Sequence, residues 1–145
     1  MRVRRLRRPG RTVRSLMTPG AITIGREASL TEAAVRMRAH RVGALAVVED
    51  DHLVGIVSER DLLRAVAEGR NPALTAVGEA MTAEPRTIAP DQPVEEAIAS
   101  MLELGVRHLP VVEGSRIVGF LSARDLLGLG GPRPVDWKEL AYEPW

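Results

Sequence analysis

Two residue pairs stand out for their chemistry: Ser58 with Asp61, and Ser122 with Asp125. They lie in two copies of one stretch, Gly55-Ile56-Val57-Ser58-Glu59-Arg60-Asp61-Leu62-Leu63 and Gly119-Phe120-Leu121-Ser122-Ala123-Arg124-Asp125-Leu126-Leu127. Each copy reads as a strand that closes on Gly-apolar-apolar and runs into a helix begun by Ser. A small anionic ligand there would meet the first N–H groups of the helix, which have no partner within it. The hydroxyl and the carboxylate beside them suit the hydroxyls of a sugar. The same Ser-x-x-Asp also has the form of a capping box, in which Ser caps the helix and the acid reaches back to the cap N–H. Duplication does not separate these readings, because a duplicated helix duplicates its cap.

The elements that must position these pairs follow from patterning. Val13-Arg14-Ser15-Leu16-Met17-Thr18 reads as a lead-in turn of helix, and Thr23-Ile24 as a short extended piece. Ser29-Leu30-Thr31-Glu32 opens a helix whose Leu30, Ala33, Ala34 and Met37 form one apolar face. Leu45-Ala46-Val47-Val48 and the run from Leu53 to Val57 flank a polar turn, as a hairpin does. A helix from Ser58 to Glu68 ends at Gly69, with Pro72 beyond. The order is β-α-β-β-α. A shift of 64 residues then aligns 13–63 with 77–127 without a gap, with about 20 of 51 positions identical. The chain is a tandem duplication. A half of this size buries little core alone, so the halves are expected to pack their sheets into a pseudo-twofold pair with two related pockets.

Composition bounds the rest. Aromatic residues are only 3% of the 145, so the core must be aliphatic. There is no cysteine, which excludes disulfides and thiolate chemistry and fits a cytoplasmic location. No apolar run reaches the roughly 18 residues of a membrane span. Net charge is +1, yet residues 2–14 hold seven arginines and no acid, leaving the remainder acidic by about six charges. Nucleic-acid binding, if present, therefore belongs to that basic arm (1–12). The last stretch, 129–145, is rich in Gly and Pro and carries Trp137, Tyr142 and Trp145 around a short helical pattern. Those aromatics suit packing on the chain itself, on a dimer mate or on another protein.

The repeat resembles the CBS domain, named for cystathionine β-synthase, and its tandem form, the Bateman module. The Val-x-x-x-Met-Thr lead-ins, Val47-Val48, Leu109-Pro110-Val111-Val112 and both Gly-x-x-Ser-x-x-Asp-Leu-Leu stretches carry the resemblance. It implies an α/β (α+β) fold of two β-α-β-β-α units, 13–64 and 77–128, joined by 65–76. It also implies an adenosyl ligand: AMP, ADP, ATP or S-adenosylmethionine. By the same resemblance Asp61 and Asp125 would bond ribose, and Ser58 and Ser122 would lie by ribose or phosphate. Backbone at Thr23-Ile24 and Thr87-Ile88 would contact adenine. Arg107 and His108, with Pro110 close behind, would make a phosphate-preferring cleft that the other half cannot, and Asp61 would face them. Arg60 and Arg124 are further phosphate candidates.

No nucleophile–base pair, Walker loop or metal-ligand spacing is legible, so no enzymatic activity, no metal and no required cofactor are expected. The reading is a stand-alone regulatory pair, homodimeric, that senses an adenosyl ligand and signals to a regulated protein. Alternatives are nucleic-acid binding through the arginine arm, or a ligand-free dimerisation and assembly module.

Overall fold

The computed structural model describes residues 11–127. The aromatic tail and all but the last two residues of the basic arm lie outside them. The first repeat runs α1 (Val13–Leu16), β1 (Thr18–Pro19), β2 (Thr23–Gly25), α2 (Leu30–His40), β3 (Ala44–Glu49), β4 (His52–Ser58) and α3 (Glu59–Ala67). The second runs α4 (Val77–Ala80), β5 (Thr82–Ala83), α5 (Val94–Leu104), β6 (His108–Glu113), β7 (Arg116–Ser122) and α6 (Ala123–Leu126). The second copy of β2 is reduced to one parallel bridge, Ile88 to Val111.

Local chemistry accounts for most boundaries. The Ser29 hydroxyl accepts the Glu32 N–H at 3.1 Å and starts α2. Leu30, Ala33 and Met37 bury its inner face. Ala34, expected on that face, is exposed, because it stands at the edge of a narrow stripe. Asp50 and Asp51 turn the first hairpin with φ of 49° and 63°, the pair of positive angles a two-residue loop requires.

Four strands pair in the order β2-β3-β4-β5, and three in the order β1-β7-β6. β2 and β3 are parallel, and the other pairings are antiparallel. The lead-ins are therefore exchanged. β1 belongs to the first repeat but pairs with β7 of the second, Thr18 opposite Phe120. β5 belongs to the second repeat but pairs with β4 of the first, Thr82 opposite Ile56. The cores follow suit. Val13 packs with Ile88, Leu109, Val111 and Leu121, and Val77 packs with Ile24, Leu30, Leu45 and Val57. Both valines are fully buried. Each contributes about 1.5–3 kcal/mol to the other repeat's core.

The glycine that opens each motif is explained by this crossing. A Cβ on Gly119 would stand 2.6 Å from the Thr18 carbonyl oxygen. One on Gly55 would stand 2.9 Å from the Thr82 carbonyl oxygen and 2.5 Å from Met81 Sδ. Only a residue without a side chain lets the exchanged lead-in lie flat there. The hairpins also meet directly, the Leu53 N–H donating to the Ser115 carbonyl at 3.1 Å. Among the described residues no helix is long and apolar enough to cross a membrane.

Candidate functional site

Exchange of the lead-ins builds two clefts from equivalent parts. The wide cleft, about 590 Å³, joins residues 18–22 of the first lead-in, 40–44 at the end of α2 and start of β3, and His108, Phe120, Ser122, Arg124 and Asp125. The narrow cleft, about 140 Å³, joins Thr82 of the second lead-in, Val106, Arg107 and His108 before and at the start of β6, and Ser58, Glu59, Arg60 and Asp61. Gly43 and His108 line both. Small-molecule sites commonly occupy roughly 300–1,000 Å³, and of these two clefts the wide one falls in that range.

Both motif acids close a capping box. The Ser58 N–H donates to Asp61 Oδ2 at 2.8 Å, and the Ser58 hydroxyl donates to the same oxygen at 3.1 Å. The Ser122 N–H donates to Asp125 Oδ2 at 2.8 Å, while the Asp125 N–H donates back to Ser122 Oγ at 3.2 Å. The difference lies in the second oxygen. Asp61 Oδ1 faces the Arg64 guanidinium at 3.4 Å, and the residue is only 6% exposed. Asp125 is half-buried at the wide cleft, its Oδ1 meeting only a long 3.4 Å contact from the Thr18 hydroxyl among the hydrogen bonds found. Asp125 can cap its helix and still accept from a ligand hydroxyl.

The helix starts correct the sequence reading at one N–H each. The first N–H groups were expected to be open to an anion. Instead the Glu59 N–H donates to the Gly43 carbonyl at 3.0 Å, and the Ala123 N–H to the Arg107 carbonyl at 2.8 Å. The residue preceding each hairpin thus takes up the first N–H of the helix in its own unit.

His108 sits between the clefts. Burial lowers its pKa below 6.5, the nearby Arg124 and Arg107 charges lower it further, and Asp125 opposes them. The ring is neutral at neutral pH and offers hydrogen bonds rather than charge.

The expected residues divide cleanly. Ser122, Arg124, Asp125 and His108 meet at the wide cleft, and Ser58, Arg60, Asp61, Arg107 and His108 at the narrow one. Arg107, His108 and Asp61 do share a cleft, but it is the one with less room. Thr23, Ile24, Thr87, Ile88 and Pro110 line neither. Thr23 and Ile24 pair with Ala46 and Val47 of β3, and the Thr23 carbonyl accepts from Arg36 at 2.6 Å. The Ile88 N–H donates to the Pro110 carbonyl and its carbonyl accepts the Val112 N–H. That backbone is spent on strand pairing, and Ile24, Ile88 and Pro110 are buried. The lining backbone lies just before, at Gly20, Ala21 and Ile22.

Of the wide-cleft lining, sequence reasoning missed 18–22, His40, Arg41, Val42, Gly43, Ala44 and Phe120. Within the gapless repeat the copies agree at Met-Thr and again at Thr-Ile, yet differ at every position from 19 to 22 and again from 38 to 41. Divergence between the copies does not single these residues out, since 25–31 and 50–53 also differ throughout and line neither cleft.

The family model for the CBS domain matches residues 13–68 and 77–130. The CBS domain-containing protein YhcV of Bacillus subtilis is 35% identical over 116 residues, 79% of this chain and 82% of that one. Among solved structures, the CBS domain pair of protein MJ0100 in complex with 5′-methylthioadenosine and S-adenosyl-L-methionine superposes with a TM-score of 0.78. It is 28% identical, over 83% of this chain and 96% of that one. The CBS domain protein PAE2072 from Pyrobaculum aerophilum, complexed with AMP, gives a TM-score of 0.74 at 28% identity, over 80% and 90% of the two chains. With two family matches in tandem, the same folded pair and an internal repeat that accounts for both, this chain belongs to the CBS domain family.

Proposed function

We propose that the pair is a regulatory module that binds an adenosyl ligand in its wide cleft. One observation carries the reading: the cleft of about 590 Å³ combines apolar walls from Ile22, Val42 and Phe120 with a motif carboxylate, Asp125, whose second oxygen is open to a sugar hydroxyl. Apolar walls around a few placed polar groups are what a nucleoside needs. The MJ0100 and PAE2072 complexes hold adenosyl ligands in related pairs, which supports the ligand class. In this reading Asp125 and Ser122 take the ribose, and residues 20–22 face the base. Asp61 and Ser58 hold the fold of the first unit. Leu63, Val66 and Leu102 leave apolar helical surface, more than half exposed at each, for a second copy of the chain. Ligand binding then shifts the population of arrangements that a regulated protein reads.

Thermal unfolding against AMP, ADP, ATP and S-adenosylmethionine tests the reading. A ligand at about 100 times its Kd adds about 2.7 kcal/mol to the folded state. The shift is expected to vanish in Asp125→Ala and to persist in Asp61→Ala. No shift with any of the four overturns the ligand class. The opposite pattern in the two variants overturns the choice of cleft.

A further inference from the structure

The wall of the wide cleft at residues 18–22 runs straight into β2, and β2 is an edge strand. On an edge strand alternate carbonyls point away from the sheet and need a partner elsewhere. The Ile22 carbonyl turns inward and accepts the Ala46 N–H of β3 at 3.1 Å. The next carbonyl, that of Thr23, is taken by a side chain of α2: Arg36 Nη1 donates to it at 2.6 Å. Arg36 Nη2 pairs with Glu32 Oε1 at 3.0 Å, one turn back on the same helix. Arg36 lines neither cleft. It ties to α2 the strand into which the cleft wall runs.

The second unit can make neither tie. Pro110 stands at the position of Ala46 and has no N–H to give, and the far shorter Ser100 stands at the position of Arg36. Arg86, the counterpart of Ile22, reaches Glu103 with its side chain at 2.9 Å, a surface ion pair that is worth little. The copy of β2 there shrinks to the single bridge of Ile88 with Val111, and the cleft beside it is the small one. We infer that Arg36 is a positioning residue for the wide cleft: by holding the Thr23 carbonyl to α2 it sets the place of residues 20–22, and with it the fit of the ligand's base. A charged donor makes the stronger bond to a carbonyl, and Glu32 fixes the direction of its fork. The inference rests on the adenosyl reading above and adds to it the device that shapes the base-facing wall.

Amide hydrogen exchange, with calorimetric titration of AMP and of adenosine, tests this on the full chain. In Arg36→Ser, which installs the residue of position 100, the Gly20 and Ala46 amides are expected to exchange at least about tenfold faster, and amides elsewhere in β3 and β4 to stay within about twofold. Affinity for AMP and for adenosine is expected to fall together, by at least about fivefold, because both carry the base that the wall meets. Faster exchange at those two amides with unchanged affinity means that the ligand does not feel the wall, and the inference fails while the adenosyl reading stands. Unchanged exchange at both overturns it as well, whatever the affinity. Exchange accelerated throughout the first unit makes Arg36 a structural residue, and a loss confined to AMP makes it an electrostatic one; either overturns the inference. If the wild type binds neither ligand, the adenosyl reading falls and takes the inference with it.

Discussion

The two clefts are built from the same parts list and differ about fourfold in volume. Each takes a lead-in strand from one repeat and a Ser-x-x-Asp motif from the other. Thr18 of the wide cleft corresponds to Thr82 of the narrow one, and Asp125 to Asp61. The side chains between these fixed points set the room. At equivalent positions Gly43 and Ala44 of the first unit are Arg107 and His108 of the second, and Ala123 of the second is Glu59 of the first. Arg107 and Glu59 therefore add bulk to the narrow cleft alone, while Gly43 and His108 border both. The narrow cleft is filled by its own polar groups, with Glu59 and His108 both standing 3.4 Å from where a Gly43 side chain would begin. Duplication supplied two frames, and a few small residues decided which stayed open.

The largest expected effect comes from blocking the crossing that makes the frames. Gly119→Ala drives a methyl group into the Thr18 backbone, which cannot rotate away. Gly55→Ala meets Met81 Sδ first, a flexible end, and then the Thr82 carbonyl. Overpacking of this kind costs about 1–3 kcal/mol, a fall of several degrees in the thermal midpoint. Gly119→Ala is expected to be the worse of the two and, by displacing residues 18–22, to weaken ligand binding in the wide cleft. Gly55→Ala is expected to lower the midpoint and leave that binding in place. Equal binding loss in both variants would show that the clefts do not respond separately.

A smaller effect separates the two caps. Asp61 is buried and holds the start of a nine-residue helix whose Ala65 packs into the first core. Asp125 starts a helix described over four residues that buries none of them. Losing such a cap costs about 0.5–2 kcal/mol. Asp61→Ala is expected near the top of that range and Asp125→Ala near the bottom, read from urea denaturation without ligand. The order inverts for ligand affinity. One motif then serves stability in one unit and binding in the other.

How much of this was legible in the sequence depends on the range of the interaction. The repeat, the helices, the hairpins and the capping boxes are local, and patterning revealed them. The exchange of lead-ins is not local. Val13, Met17 and Thr18 are identical to Val77, Met81 and Thr82. Either lead-in could satisfy either unit, and nothing in the residues says which does. The family resemblance implies adenine contacts from the extended backbone at Thr23-Ile24. It is extended, and for that reason its N–H and carbonyl groups pair with β3. Residues 20–22 line the wide cleft, although the Gly20 N–H donates to the Val118 carbonyl at 2.9 Å and the Ile22 carbonyl accepts the Ala46 N–H at 3.1 Å.

The subtlest test concerns the one side chain both clefts share. Burial and two neighbouring arginines hold the His108 pKa below its ordinary 6.5, against the pull of Asp125. Above pH 6.5 the imidazole is neutral in the folded and unfolded chains alike, and the residue adds no pH dependence. As pH falls below 6.5 the unfolded chain takes up a proton that the folded chain resists. Stability attributable to this group is therefore present above that value and lost on acidification, until the folded ring also protonates. His108→Ala, which installs the residue of the equivalent position 44, is expected to flatten the urea midpoint between pH 6.5 and the folded pKa. An unchanged slope would mean that the imidazole is solvated in the folded chain, and that the wall between the clefts is wetter than its packing implies.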